Sequence, residues 1–457
     1  MSNVPHVLVI AESANPEWVS VPLVGWSLAT ALREVANVHI VTQVRNREAF
    51  IRAGMIEGRD FTSIDSEKAA RPLYRIGEAI RGGKGVGWTT GTAVAAFSYY
   101  YFEHLVWKSF GDEIRNGSWD IVHRITPLSP TIPSLLAKKC ARARVPFVLG
   151  PLNGGVPWPK DFDAARRKEK EWLSYIRGAH KLMPGYTATR DAATALLIGS
   201  QDTLSQVPAK YRHKCIYIPE NGIDPARFSL KAETQYGGVL RACFVGRLVP
   251  YKGPDMLIEA AVPLLKARRL HIDVIGDGPL MARLREIVDQ EGLDDSVSLH
   301  GWVQHTALQD LMSQCQLLAF PSIREFGGGV VLEAMALGLV PLVVDYAGPS
   351  ELVTEHTGFK VPLGSREKIV AEFRKRLIQI SDNPSCLWPL AKAGQERCMQ
   401  LFTWAVKAKQ VCEVYRWVRG ERSIKPDFPF LEECLQTWAK APNSPVDRAT
   451  SPNASSP

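Results

Sequence analysis

No stretch of this 457-residue chain approaches the roughly 20 apolar residues that a spanning helix requires. The start, Met1-Ser-Asn-Val-Pro-His6, lacks the charged segment and long apolar core of a secretory leader. The eight cysteines (140, 215, 243, 315, 386, 398, 412 and 434) are scattered, with no Cys-x-x-Cys. With no histidine cluster at ligand spacing either, neither a disulfide framework nor a structural zinc site is expected. No basic motif with interleaved aromatics is present, which argues against a nucleic-acid reader. No internal repeat is visible beyond an echo between two halves. These absences point to a cytoplasmic protein with reduced cysteines.

What is present fits a two-domain enzyme. The chain is long enough for two cores, and 46% hydrophobic with 22% charged residues is ordinary globular composition. Charge is uneven: up to Pro219 there are 28 Lys and Arg against 19 Asp and Glu, and beyond it 27 against 28. The basic first half suits an anionic partner or membrane surface, or is simply a solvated basic face.

Function is most legible in Glu325-Phe-Gly-Gly-Gly-Val-Val-Leu-Glu333. The apolar run Gln316–Phe320 reads as a buried strand, and a helix over Val330–Leu337 opens straight after the glycines. Such a turn lets backbone N–H groups approach a ligand, and the helix start adds partial positive charge, which suits a phosphate. If helical between them, the two glutamates lie up to about 12 Å apart. That exceeds the roughly 5–9.5 Å between carboxylates that share one glycosidic carbon. The pair therefore suits opposite ends of a long, phosphate-centred ligand, although a glutamate in such a turn can also be a plain surface charge. Upstream, the strand Arg241–Val245 runs into Gly246-Arg247, then Lys252, and a helix begins near Pro254. Two cations at the end of a parallel strand can neutralise a diphosphate.

Gly246-Arg247-Leu248, Lys252-Gly253, Gly276-Asp277-Gly278, Glu325 and Glu333 together resemble the C-terminal half of a GT-B-fold retaining glycosyltransferase of family 4 (glycosyl transferases group 1). Ile218-Pro-Glu-Asn-Gly-Ile-Asp224, Gly348-Pro-Ser-Glu351 and Phe402-Thr-Trp404 extend the match in order. The resemblance implies an α/β GT-B fold: two Rossmann-like, doubly wound parallel-sheet domains facing a central cleft. It places an acceptor-side domain at 1–219, a nucleotide-sugar domain at 220–401, closing helices at 402–440 that return to the first domain, and a disordered tail at 441–457.

It also implies roles. Arg247 and Lys252 meet the charge on the leaving diphosphate, aided by Phe326, Gly327, Gly328 and Gly329, and Gly246, Gly276 and Gly278 border the nucleotide. Glu333 holds the ribose, and Glu325 holds donor-sugar hydroxyls. His123, closing the strand Asp120–His123, either bonds a donor-sugar hydroxyl or is a buried histidine tied to backbone. In Ser20-Val-Pro-Leu-Val-Gly25-Trp26 a single glycine stands where relatives place two, and Gly25 is the expected phosphate neighbour. Asn153, Gly154 and Gly155 are acceptor-side candidates. The expected partners are a nucleotide-sugar donor and a sugar or lipid-linked acceptor, with no metal or other cofactor. The expected place is the cytoplasm, with peripheral contact at the inner face of an anionic membrane.

Residues 66–110 combine Arg71, Arg75, Arg81 and Lys84 with an aromatic-rich run from Phe97 to Trp107. This segment reads as a helix packed on the sheet, or as an acceptor or membrane surface. Three other functions stay open on sequence alone. They are an epimerase or hydrolase of the same fold, a phosphorylase (for which no pyridoxal phosphate lysine is evident), and a catalytically silent adaptor.

Overall fold

The computed structural model describes residues 4–67, 88–159, 162, 183–232 and 238–428. Arg71, Arg75, Arg81, Lys84 and the tail from 441 lie outside them. Two sheets form. The first contains β1 (His6–Ala11), β2 (Asn37–Gln43), β3 (Phe61–Ile64), β4 (Ile121–Thr126), β5 (Phe147–Leu152), β6 (Ala195–Ile198) and β7 (Cys215–Tyr217). Their spatial order is β3-β2-β1-β4-β5-β6-β7, with parallel pairing throughout. The second contains β8 (Leu240–Val245), β9 (Leu270–Ile275), β10 (Val297–Gly301), β11 (Leu317–Phe320), β12 (Val340–Val344) and β13 (Phe359–Val361). It runs β10-β9-β8-β11-β12-β13, again all parallel.

Central strands such as β4, β5, β11 and β12 are buried at every position, because helices cover both faces of each sheet. That is why β5, β11 and β12 read as near-continuous apolar runs rather than alternating ones, whereas β4 carries His123 and Arg124 within its buried stretch. In the Trp88–Arg115 helix, Tyr99, Phe102, Val106 and Phe110 are buried in the core of the first sheet. Those aromatics pack against the sheet rather than forming a free surface.

The chain crosses between the sheets twice, and the two crossings lie side by side. Outbound, Pro219 to Ile223 leaves β7; inbound, Phe402 to Trp404 opens the return helix Trp404–Val418. Ile223 N–H donates to Phe402 O at 2.8 Å and Trp404 N–H to Ile223 O at 3.2 Å. Thr403 caps the helix by accepting from Val406 N–H. The return helix buries Ala408, Val411, Val414 and Tyr415 among Val7 of β1, Leu28 and Leu32 of the Val21–Leu32 helix, and Ile218 just past β7. Lys407, also buried, donates its ammonium proton to the Pro219 carbonyl. One helix thus secures both the core and the outgoing strand.

His123 belongs to this packing. It is fully buried on β4, with Nε2 2.7 Å from Gly150 O and Nδ1 2.7 Å from Tyr415 Oη. A carbonyl only accepts, so Nε2 carries the proton and Nδ1 accepts from the tyrosine hydroxyl. The sugar-site role expected of His123 is corrected accordingly: both ring nitrogens are engaged, and the residue ties the sheet to the return helix. Burial pulls its pKa down to about 4 from 6.5, against the smaller opposing effect of the Gly150 bond.

Because the folded pKa is the lower one, the unfolded chain binds the proton first as pH falls. The stability held above about pH 6.5 should decline until about pH 4, by roughly 3 kcal/mol from this group alone. Urea denaturation at pH 7 and pH 5 should show about 2 kcal/mol of this loss in the parent and a smaller one in His123→Asn; equal losses would contradict it.

Candidate functional site

In each sheet the strand order reverses beside its first strand, between β1 and β4 and between β8 and β11. Loops leaving the carboxyl ends there diverge and open a crevice. Both crevices open into one cavity of about 650 Å³, a size suited to a nucleotide-sugar-sized ligand. The first sheet contributes residues of Val19–Ser27 and Pro127–Ile132, and the second Gly246, Lys252, Glu325, Phe326, Gly329 and Glu333.

Charge concentrates on the second wall. β8 ends at Gly246, whose φ of +149° turns the chain, and Lys252 closes the short helical turn Pro250–Lys252. Lys252 Nζ lies 2.8 Å from Glu325 Oε2, each side chain only 19% exposed. Burial acts to lower the Lys252 pKa, but Glu325, Tyr251 and Glu333 outweigh it and the net shift is upward. The ammonium is therefore charged at neutral pH. Arg247 is exposed outside the cavity lining, with no hydrogen bond or ion pair on its guanidinium among the described residues. Glu333, on the Gly329–Leu337 helix, lies 2.9 Å from His305 Nε2, and His305 meets the Phe228 ring edge-on. The two glutamates thus serve different partners.

The glycines divide by role. Gly328 needs its φ of +63° to start the helix, whose first two N–H groups, of Gly329 and Val330, have no backbone partner among the described residues, while Val331 N–H donates to Gly328 O at 2.9 Å. At Gly327 the Asn221 amide nitrogen and the Glu220 carboxyl come within 2.1 and 2.3 Å of the place a Cβ would take, so a larger residue would have to push both side chains aside. Gly276 and Gly278 stand outside the cavity lining, and a Cβ there would meet the backbone of Gly246 and Leu248. Their expected place beside the nucleotide becomes one step removed: they seat the loop that carries Gly246. Gly25 likewise packs its helix against the Ser13 carbonyl and does not line the cavity. Val19 and Ser20 of that loop do line it, and Ser20 is held at φ +64°, where glycine would be unstrained.

Asn153 and Gly154 line the cavity; Gly155 does not. Asn153 Oδ1 is already taken by Gly154 N–H at 2.8 Å and Ser200 Oγ at 2.7 Å. Sequence reasoning missed Glu220, Asn221 and His305. Glu220 sits in a segment flagged for other residues, and burial, reinforced by Glu325 and opposed by Asn153 and Lys407, pushes its carboxyl up to about 7. His305 is a lone histidine in a loop and carries no spacing signal.

One edge of the cleft is clasped. Glu351 accepts from Gln201 N–H at 2.9 Å and Tyr217 Oη–H at 2.5 Å across the domains. Tyr346 Oη donates to Pro157 O at 2.8 Å, and the Arg324 guanidinium lies 5.1 Å from the Trp158 ring centre.

Residues 228–383 match the family profile described as Glycosyl transferases group 1. Glycogen synthase of Mycobacterium tuberculosis is 30% identical over 227 residues, 48% of this chain and 53% of that one. The alpha-D-kanosaminyltransferase of Streptomyces kanamyceticus is 27% identical over 241 residues, 50% of this chain and 61% of that one. The chain spans about half the length of the curated relatives it matches. Among solved structures, Anabaena HepE in complex with UDP has TM-score 0.59 and 15% identity over 90% of this chain and 99% of that one. Sucrose-phosphate synthase from Thermosynechococcus elongatus gives 0.57 and 15% over 91% and 99%. The two sheets and their cleft are a GT-B fold.

Gly327→Ala should lower stability by about 1 kcal/mol, since the Asn221 amide and the buried Glu220 carboxyl must shift aside to admit a methyl group. Gly238→Ala, where a Cβ meets nothing within 4 Å, should stay within about 0.5 kcal/mol. Denaturant melts of the two compare them directly, and equal effects would contradict the close packing of Glu220 and Asn221 on the glycine turn.

Proposed function

We propose that this chain is a retaining hexosyltransferase of family 4, moving a sugar from a nucleotide-diphospho-sugar to an acceptor hydroxyl in polysaccharide, glycolipid or other glycoconjugate synthesis. The observation that carries the reading is the charged Lys252, held by Glu325 at the β8/β11 crevice and sharing one cavity with the glycine-started helix. A buried ammonium beside free helix-start amides is a place for a diphosphate. The HepE structures, with UDP, with UDP and glucose, and with UDP-glucose, support a nucleoside diphosphate as leaving group.

In this reading the bond between the anomeric carbon and the diphosphate oxygen breaks while the acceptor oxygen bonds the same face. The acceptor proton passes to the leaving phosphate, so no side chain need act as base. Lys252 stabilises the growing negative charge, with the first amides of the Gly329–Leu337 helix and with Arg247 reaching in from the rim. Glu325, turning from Lys252 on donor arrival, takes hydroxyls of the donor sugar. Glu333, steadied by His305, takes the ribose. With these groups carrying the charge, the reaction needs no divalent cation.

Release of nucleoside diphosphate from a panel of UDP-, GDP- and ADP-sugars tests this. Lys252→Ala should lower kcat by about 10²–10³-fold, and EDTA should leave the parent rate unchanged. A near-parental rate in the variant would remove Lys252 from the chemistry. Activity lost to EDTA and restored by magnesium would overturn the metal-free step.

A further inference from the structure

Among the described residues four carboxyls line the cavity, and three are engaged. Glu325 is paired with Lys252, Glu333 with His305, and Asp224 Oδ1 accepts from Ala226 N–H at 2.9 Å. Glu220 is the fourth. Its Oε1 accepts one long bond, from Asn221 Nδ2 at 3.4 Å. Its Oε2 has no hydrogen-bond partner among the described residues and is not sealed from the cavity. Lys407 does not pair with it, since that ammonium donates to the Pro219 carbonyl and stands outside the cavity lining.

The carboxyl is nonetheless firmly placed. Glu220 N–H donates to Gly199 O at 3.3 Å, and the Cβ atoms of Glu220 and Asn153 lie 3.0 and 3.1 Å from where a Cβ on Gly199 would stand. Asn153 cannot turn its amide over, because Oδ1 accepts from Gly154 N–H and Ser200 Oγ. Its Nδ2, buried without a bond of its own, supports the charged form of Glu220. Burial above all, reinforced by Glu325, still holds the Glu220 pKa up at about 7, against Asn153, Lys407 and Asn221. Both forms of the carboxyl therefore coexist at neutral pH. Two residues on, Gly222 lies against the indole of Trp404, which is half-buried and also lines the cavity.

We infer that Glu220 anchors the acceptor: its free Oε2 takes a hydrogen bond from a hydroxyl of a pyranose, one other than the hydroxyl that is glycosylated. The inference rests on the sugar-transfer reading, in which the proton of the reacting hydroxyl goes to the leaving phosphate. The hydroxyl that donates to Glu220 is therefore a neighbour of the reacting one. The donor is already served by Lys252, Glu325 and Glu333 on the second wall, whereas Glu220 is fixed to Gly199 and Asn153 of the first. A hydrocarbon at this point would leave a buried carboxyl unpaired, which is costly. An ammonium answers the charged carboxylate alone. A hydroxyl donates to the carboxylate and accepts from the acid, so it suits both forms. A pyranose adds a ring of C–H groups for the Trp404 indole.

The test is acceptor kinetics on the full chain, with whichever of the UDP-, GDP- and ADP-sugars it turns over. The acceptors are the methyl pyranosides of glucose, galactose and mannose, methyl β-D-glucosaminide, and cyclohexanol, a ring with a single hydroxyl. At least one pyranoside should have a KM tenfold or more below that of cyclohexanol. Glu220→Ala should raise that KM about tenfold or more, the loss of a hydrogen bond to a charged group, and raise the donor KM by less. Glu220→Gln, which keeps the shape and one accepting oxygen, should raise it about threefold. The inference is overturned if cyclohexanol serves as well as the pyranosides, if no pyranoside speeds diphosphate release beyond the rate with water, or if both variants keep the parental acceptor KM. A donor KM that rises more than the acceptor KM would move the hydroxyl to the donor sugar, and a tenfold preference for the glucosaminide would make the partner an ammonium; either overturns it. A parent chain that turns over no nucleotide-sugar, even with water, strikes the sugar-transfer reading and this inference with it.

Discussion

A largely buried ammonium needs a counter-charge, and the Lys252–Glu325 pair is the contact on which the cleft depends. Lys252 follows β8 and Glu325 follows β11, so the pair exists only because the chain sets these strands side by side where the sheet order reverses. Gly246 and Gly253, at φ +149° and +70°, let the β8 loop bend back so that Lys252 reaches the strand ends. The Gly276 and Gly278 loop seats Gly246 from behind. The same packing that holds the lysine charged leaves it beside a helix start, and a polyanion is the ligand that answers both.

The second domain cannot close this site alone. Its partner wall is held opposite by paired crossings, joined through Ile223 and Phe402 and pinned where Lys407 meets the Pro219 carbonyl. Two strands bonded to each other permit rotation about their common line far more readily than separation. Glu351, Tyr346 and Arg324 make the contacts that such a rotation would break or remake. Opening of the cleft would break or remake these few contacts, and one of them, Arg324 over Trp158, adjoins Glu325 of the charged pair.

Much of this was legible in the sequence. Strands β1, β8, β9, β11 and β12 announced themselves because burial on both faces leaves near-continuous apolar runs, and β2 and β10, which are partly exposed, were read from their place in the strand–helix alternation. The short strands β3, β6, β7 and β13 did not, since three or four residues carry no period. Lys252, Glu325 and Glu333 stood out because glycines and a helix start bracket them, and the structure brings all three to one cavity. Gly25, Gly276 and Gly278 were assigned to the ligand because a glycine that admits another backbone looks, in sequence, like one that admits a phosphate. His123 failed for a similar reason: a histidine ending a strand reads alike whether its nitrogens face a sugar or, as here, Gly150 and Tyr415. Glu220 and His305 reach the cavity through contacts remote in sequence, which no local pattern reports.

The central claim is that this charged crevice recognises a diphosphate. The direct measurement is isothermal titration with UDP, GDP and ADP and with the matching monophosphates, on the parent chain and Lys252→Ala. For whichever base binds, the diphosphate should be favoured over the monophosphate by about tenfold or more, ~1.4 kcal/mol, and Lys252→Ala should erase most of that difference. Equal affinity for the two in the parent chain, or a difference that survives the substitution intact, would contradict the account.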